Sequence, residues 1–283
     1  MTEKTDLAPS PQPEKMKTPW KAPMYTIIFG IFFSGYGIRA ASDESLGMLL
    51  LALEYILPLF GNALFFLGLF TLRKRQKAFQ YAAYFAAALL AINLFVMLWD
   101  VTPIGGGISL LPPNPLVWMQ LGFTSMGSQQ LMVLSDKAWL CTLQILINIV
   151  SAGGMLAFLL ALRQLKRAVT EEFQKYEIRG KARVYVWLAY IPLLVCLGAG
   201  LAGFMFLYAL VAVVPAIIIH YIWIYTRMFQ ITKELNRAGT DLEDSLAETK
   251  NLSTKTQWLL AAAFAAVVYG LLSLLSRLFD TFF

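Results

Sequence analysis

Charge is scarce in this chain, and histidine and cysteine are scarcer still. Only 14% of its 283 residues are charged, where an ordinary soluble domain carries about a quarter. With 58% apolar residues and a mean hydropathy of +0.63, the chain is not a water-soluble globule. The single histidine, His220, excludes an H-E-x-x-H zinc helix, and no G-x-S-x-G nucleophile elbow occurs. The two cysteines, Cys141 and Cys196, lie inside apolar runs. They therefore read as small buried hydrophobes, not as a disulfide framework or a metal site. No metal, no cofactor and no enzymatic activity are expected.

The formal charge is +6, yet the cations sit where apolar runs meet polar connections and carry no interleaved stacking aromatics. A nucleic-acid partner is not implied. The expected partner is a lipid bilayer, and the expected fold is an all-α, polytopic membrane bundle.

What the chain has in abundance is apolar length. A helical span needs about 20 apolar residues to cross a core of about 30 Å. Candidate spans cover 23–38, 47–72, 79–99 and 138–162, a long run over 184–225, and 258–275. The long run has 42 residues, and as one helix would reach about 63 Å. It must fold back, and Gly198, Gly200 and Gly203 supply the turn. Spans at 184–203 and 205–225 result, seven in all.

Of the 23 Lys and Arg residues, 20 then fall on one side of the bundle, in the tail and in the second–third, fourth–fifth and sixth–seventh connections; Arg39, Lys137 and Arg277 fall on the other. The positive-inside rule makes the first side cytoplasmic, with the N-terminus in and the C-terminus out, and the expected location is the cell (plasma or inner) membrane. The tryptophans Trp20, Trp99, Trp118, Trp139, Trp187, Trp223 and Trp258 all fall at span ends or in the outer loop, as headgroup-level rings should. The first span reads as a retained helix, because Arg39 stands where a signal-peptide cut needs a small residue.

Residues 1–22 read as a disordered cytoplasmic tail, and 23–283 as one transmembrane domain. The outer loop 100–137, with Gly105–Gly107 and Pro112, Pro113 and Pro115, reads as a surface connector, a lid being the alternative. The cytoplasmic connections 163–183 and 226–257 are expected to open as helices. Leu165, Val169 and Phe173, and Met228, Ile231 and Leu235, recur there at helical spacing.

Few polar residues lie within the spans. Glu54 is the one acidic residue well inside, and a carboxylate in hydrocarbon costs several kcal/mol unless paired, hydrated or protonated. Pro58 and Asn62 share its helix face. Gln144, Asn148 and Ser151 form a stripe on the fourth span, and Asn93 lies on the third. Counting inward from the span ends puts Asn93 and Gln144 each about 9 Å deep, level with Glu54. Glu54, Asn62, Asn93, Gln144 and Asn148 therefore form the expected site, for a small polar solute, a cation or a proton. Interhelical hydrogen-bond glue is the competing reading of the same residues. His220, near the cytoplasmic end, reads as an aromatic-belt residue. The G-x-G-x-x-G match at 198–203 lacks the strand that a dinucleotide fold requires. The alternative function is an accessory, assembly or regulatory subunit, binding another membrane or cytoplasmic protein through its cytoplasmic helices.

Overall fold

The computed structural model describes residues 20–34, 44–100, 102, 137–175, 210–237 and 253–282; of these, 44–55, 100, 210–221, 223, 224, 276 and 279–282 are described by backbone alone. Among the described residues all regular structure is helical. It comprises α1 (Lys21–Ser34), α2 (Glu44–Leu72), α3 (Lys77–Asp100), α4 (Ala138–Lys175), α5 (Leu210–Arg237) and α6 (Thr254–Phe282). Among the described residues three stretches are long and apolar enough to cross a membrane, namely Lys77–Trp99, Ala138–Lys175 and Thr254–Leu275, while Lys21–Ser34 and the Ile56–Leu72 part of α2 are shorter apolar stretches. The apolar helices suggest a membrane-embedded protein. The expected span 184–203 with its glycine turn, the tail 1–19, most of the outer loop and residues 238–252 of the connection 226–257 lie outside the described residues.

Apolar side chains gain little from leaving lipid for each other, so small residues and close backbone contact must hold such helices together. The α1–α2 pair shows this directly. The helices run antiparallel in a uniform register, Ile27 against Gly68, Gly30 against Phe65 and Ser34 against Gly61. A methyl group at Gly30 or Gly61 would overlap the backbone of Phe65 or Ser34, so only glycine permits this approach.

The α3–α4 pair uses a heptad-like seam instead. Phe79, Ala82, Ala86, Leu89, Asn93 and Val96 are buried on α3. They are met by α4 positions that recur every three or four residues, from Gln144 through Ser151, Phe158 and Leu165 to Glu172. In the inner half Ala82, Ala83 and Ala86 face a partner rich in Ala157, Ala161 and Ala168, and Phe65 of α2 reaches Phe158 with ring centroids 5.9 Å apart. On the other side of α2, Leu59, Ala63 and Leu64 pack with Ala261 and Ala265 of α6. Against α1 lies α5, joined to it by Tyr25–Phe229 and Phe32–Tyr225 ring contacts at 5.4 and 5.5 Å.

One end of the bundle collects the basic connections. The backbone N–H of Lys21 donates to Asn236 Oδ1, Gln257 Nε2 donates to Thr71 Oγ1, and Gln76 Nε2 donates to the carbonyl of Ala168. The starts of α1, α3 and α6 and the ends of α2, α4 and α5 therefore meet there.

The surface of α4 changes character along its length. Up to Leu162 its exposed residues include Trp139, Ile145, Leu146, Ile149 and Leu156, while Gln144, Asn148 and Ser151 are buried. Beyond Leu162 the pattern is that of a water-facing helix: Leu165, Val169 and Phe173 are buried, and Arg163, Arg167 and Lys175 are exposed. The helix crosses this change without a break. On α5 the same reversal separates exposed Ile222 from buried Met228, Ile231 and Leu235, flanked by exposed Gln230, Lys233 and Arg237.

Candidate functional site

Most buried hydroxyls in this bundle satisfy themselves locally. Thr26, Ser34 and Thr232 donate to the carbonyls of Ala22, Ile31 and Met228 at 2.9–3.1 Å, one turn back on their own helices. An asparagine offers two donors and an acceptor and cannot satisfy them all that way. Asn62 on α2 is 1% exposed. Both its Nδ2 and its Oδ1 are buried without a hydrogen-bond partner, a condition no other side chain among the described residues shares. On α3, Asn93 is 4% exposed with its Nδ2 likewise unpartnered. Burying an amide uncompensated costs about 1–3 kcal/mol by protein mutational data and more in hydrocarbon.

Gln144, Asn148 and Ser151 are also buried, and each makes a polar or electrostatic interaction. Glu54 lies on α2, with its side chain outside the described residues. Pro58, one turn on, lies within the helix and cannot supply the N–H that the Glu54 carbonyl would otherwise accept.

Helix register gives these residues their depths. Gln76 bonds to Ala168, and a Cβ on Gly153 would lie 3.9 Å from Ile92 Cδ1, so Asn93 is level with Ser151. Measured from the turn that joins α2 to α3, Asn62 lies about 15 Å up the bundle, Asn93 and Ser151 about 25 Å, and Glu54 about 27 Å. Asn148 follows at about 30 Å and Gln144 at about 36 Å. Glu54 and Asn93 thus share a level, but Gln144 lies about 11 Å farther out than Asn93. The equal depths expected for Asn93 and Gln144 assumed coplanar helix ends, whereas α4 begins about six residues beyond the end of α3. The polar residues are staggered in depth from mid-bundle toward the end away from the basic connections. They do not form a ring at one height.

The other end is fastened by polar contacts of a different kind. Arg75 Nε and its terminal nitrogen Nη2 donate to the two carboxylate oxygens of Glu172, each at 3.0 Å. Both side chains are less than one-tenth exposed. The guanidinium also lies 4.9 Å from the ring centroid of Trp20. Trp20 itself is 0% exposed and packs at 6.2 Å from Phe79. It departs from the headgroup-level role expected for all seven tryptophans: its ring is a buried plate beneath Arg75. The Arg75–Glu172 pair is not legible in the sequence, because 97 residues separate its members and each stands in a run of similar charges. His220 has only its backbone described, within α5, and Cys141 is a free, half-buried thiol. Among the described residues no group of His, Cys, Asp and Glu could hold a metal ion.

The chain matches no family model, no curated protein and no solved structure.

Proposed function

We propose that the chain is a seven-span protein of the cell membrane, without catalytic activity, whose interior polar track binds or conducts a small polar solute, a cation or a proton. The track opens at the face away from the basic connections. The basic end is cytoplasmic, so the N-terminus is inside and the C-terminus outside.

The observation that carries this reading is Asn62, fully buried with neither amide atom matched by protein. Residues that serve only as glue between helices carry their partners with them, as the buried hydroxyls here do. An unmatched amide at mid-bundle, below Asn93 and Ser151, is what a polar path needs at its inner terminus. Glu54, level with Asn93, supplies the ionisable group of the path. The reversal on α4 supports the membrane boundary near Leu162–Arg163, since lipid covers apolar side chains and water covers charged ones. The shared end of α4 and α5 supports seven spans, because the chain between Lys175 and Leu210 must then return to the far end.

Reconstituted vesicles test this function. With an internal pH dye and tracer rubidium as probes, the wild type should carry one of them above the rate of empty vesicles. Asn62→Leu should lower that rate by at least about tenfold with folding intact, as loss of a site costing 1.4 kcal/mol or more would. Equal flux in wild-type, Asn62→Leu and empty vesicles would reject the reading.

A further inference from the structure

A cleft of about 680 Å³ opens at the basic end, between the start of α1 and the last turns of α5. Its polar wall carries Lys21, Lys233 and Arg237, beside Asn236, and among the described residues no acidic one lines it. None of the three cations has a carboxylate partner among the described residues. Two features make this concentration of charge unfavourable in an empty cleft. Lys233 and Arg237 stand four residues apart on one helix face, where like charges repel. Lys21 is the first residue of α1 and adds its charge to the positive end of that helix.

The floor of the cleft is apolar. Tyr25 and Phe229 meet edge to face at 5.4 Å, and Lys21 Nζ lies 5.5 Å from the Tyr25 ring centroid. The cleft sits within a few turns of the change from apolar to charged exposed residues on α5, which on the membrane reading is the height of lipid headgroups.

We propose that this cleft binds the phosphate of an anionic phospholipid from the leaflet at the basic end. The cations neutralise the phosphate, and the two rings take the first carbons of the glycerol and acyl chains. Free inorganic phosphate offers the same anionic chemistry but leaves the aromatic floor uncovered. The proposal rests on the membrane reading and is independent of the interior polar track.

Native mass spectrometry of the purified full chain in detergent tests it, with phosphatidylglycerol and phosphatidylcholine of identical acyl chains as probes. The wild type should retain one phosphatidylglycerol in preference to phosphatidylcholine, and Lys233→Gln/Arg237→Gln should weaken that retention by about tenfold or more. The control Lys77→Gln/Lys255→Gln removes two exposed charges outside the cleft and should leave it unchanged. Circular dichroism checks that each variant stays helical. Equal weakening in the control, or no weakening in the cleft variant, would overturn the proposal. Displacement of the lipid by sodium phosphate at matched ionic strength would overturn the lipid assignment in favour of free phosphate.

Discussion

At the scale of single residues, Arg75 and Glu172 matter because their charges are buried together. Removing ionic groups from water is expensive, and a two-bond pairing with a ring beneath the guanidinium recovers much of that cost. Removing one partner strands the other. Glu172→Ala should therefore destabilise the fold by about 3–5 kcal/mol, and the apolar double variant Arg75→Met/Glu172→Leu by much less. Unfolding by titration with a denaturing detergent, followed by tryptophan fluorescence, reads both values. Equal losses in the two variants would mean that packing, not the uncompensated charge, sets the cost. Asn62 presents the opposite case, an amide buried with neither of its polar atoms matched by a hydrogen-bond partner.

At the scale of elements, close approach of backbones explains how α1 is held against α2. The contact is made deep by Gly30 on α1 and by Gly61 and Gly68 on α2. Gly61→Leu should push α1 from α2, with an overpacking cost of about 1–3 kcal/mol or more. Size-exclusion chromatography of a fluorescent fusion would show it as loss of the monodisperse peak. Gly270→Leu on α6 should be tolerated, because nothing among the described residues lies within 4 Å of a Cβ there. None of this was legible in the sequence, where the three glycines look like ordinary small residues until the register aligns them. The continuation of α4 past Leu162 was legible, because Leu165, Val169 and Phe173 keep the helical period while charged residues fill the positions between. The burial of Gln144, Asn148 and Ser151 was visible in the same way, as three polar residues on one face of an apolar helix. Their depth relative to Asn93 was not, because distance from a span end says nothing about how far neighbouring ends are staggered.

At the scale of the whole molecule, two polarities run along the bundle. Cations and paired side chains gather at one end, and a stripe of uncharged polar groups penetrates from the other. If the basic end is cytoplasmic, single cysteines at positions 74 and 255 in a cysteine-free background should resist an impermeant maleimide added to intact cells and react after lysis. A cysteine at 137 should react in intact cells. The reverse pattern would invert the orientation, and with it the side from which the polar track opens.

Whether water reaches that track is the question on which the functional reading turns. In chains with Cys141 and Cys196 replaced by alanine, cysteines at positions 62, 93 and 151 can be exposed to a small, charged methanethiosulfonate reagent from the side away from the basic end. All three should be modified, fastest at 93 and 151 and slowest at 62, and a cysteine at position 86, in the packed alanine seam, should not react. Protection of 62, 93 and 151 to the same degree as 86 would contradict a solute path and leave the buried amides as packing alone.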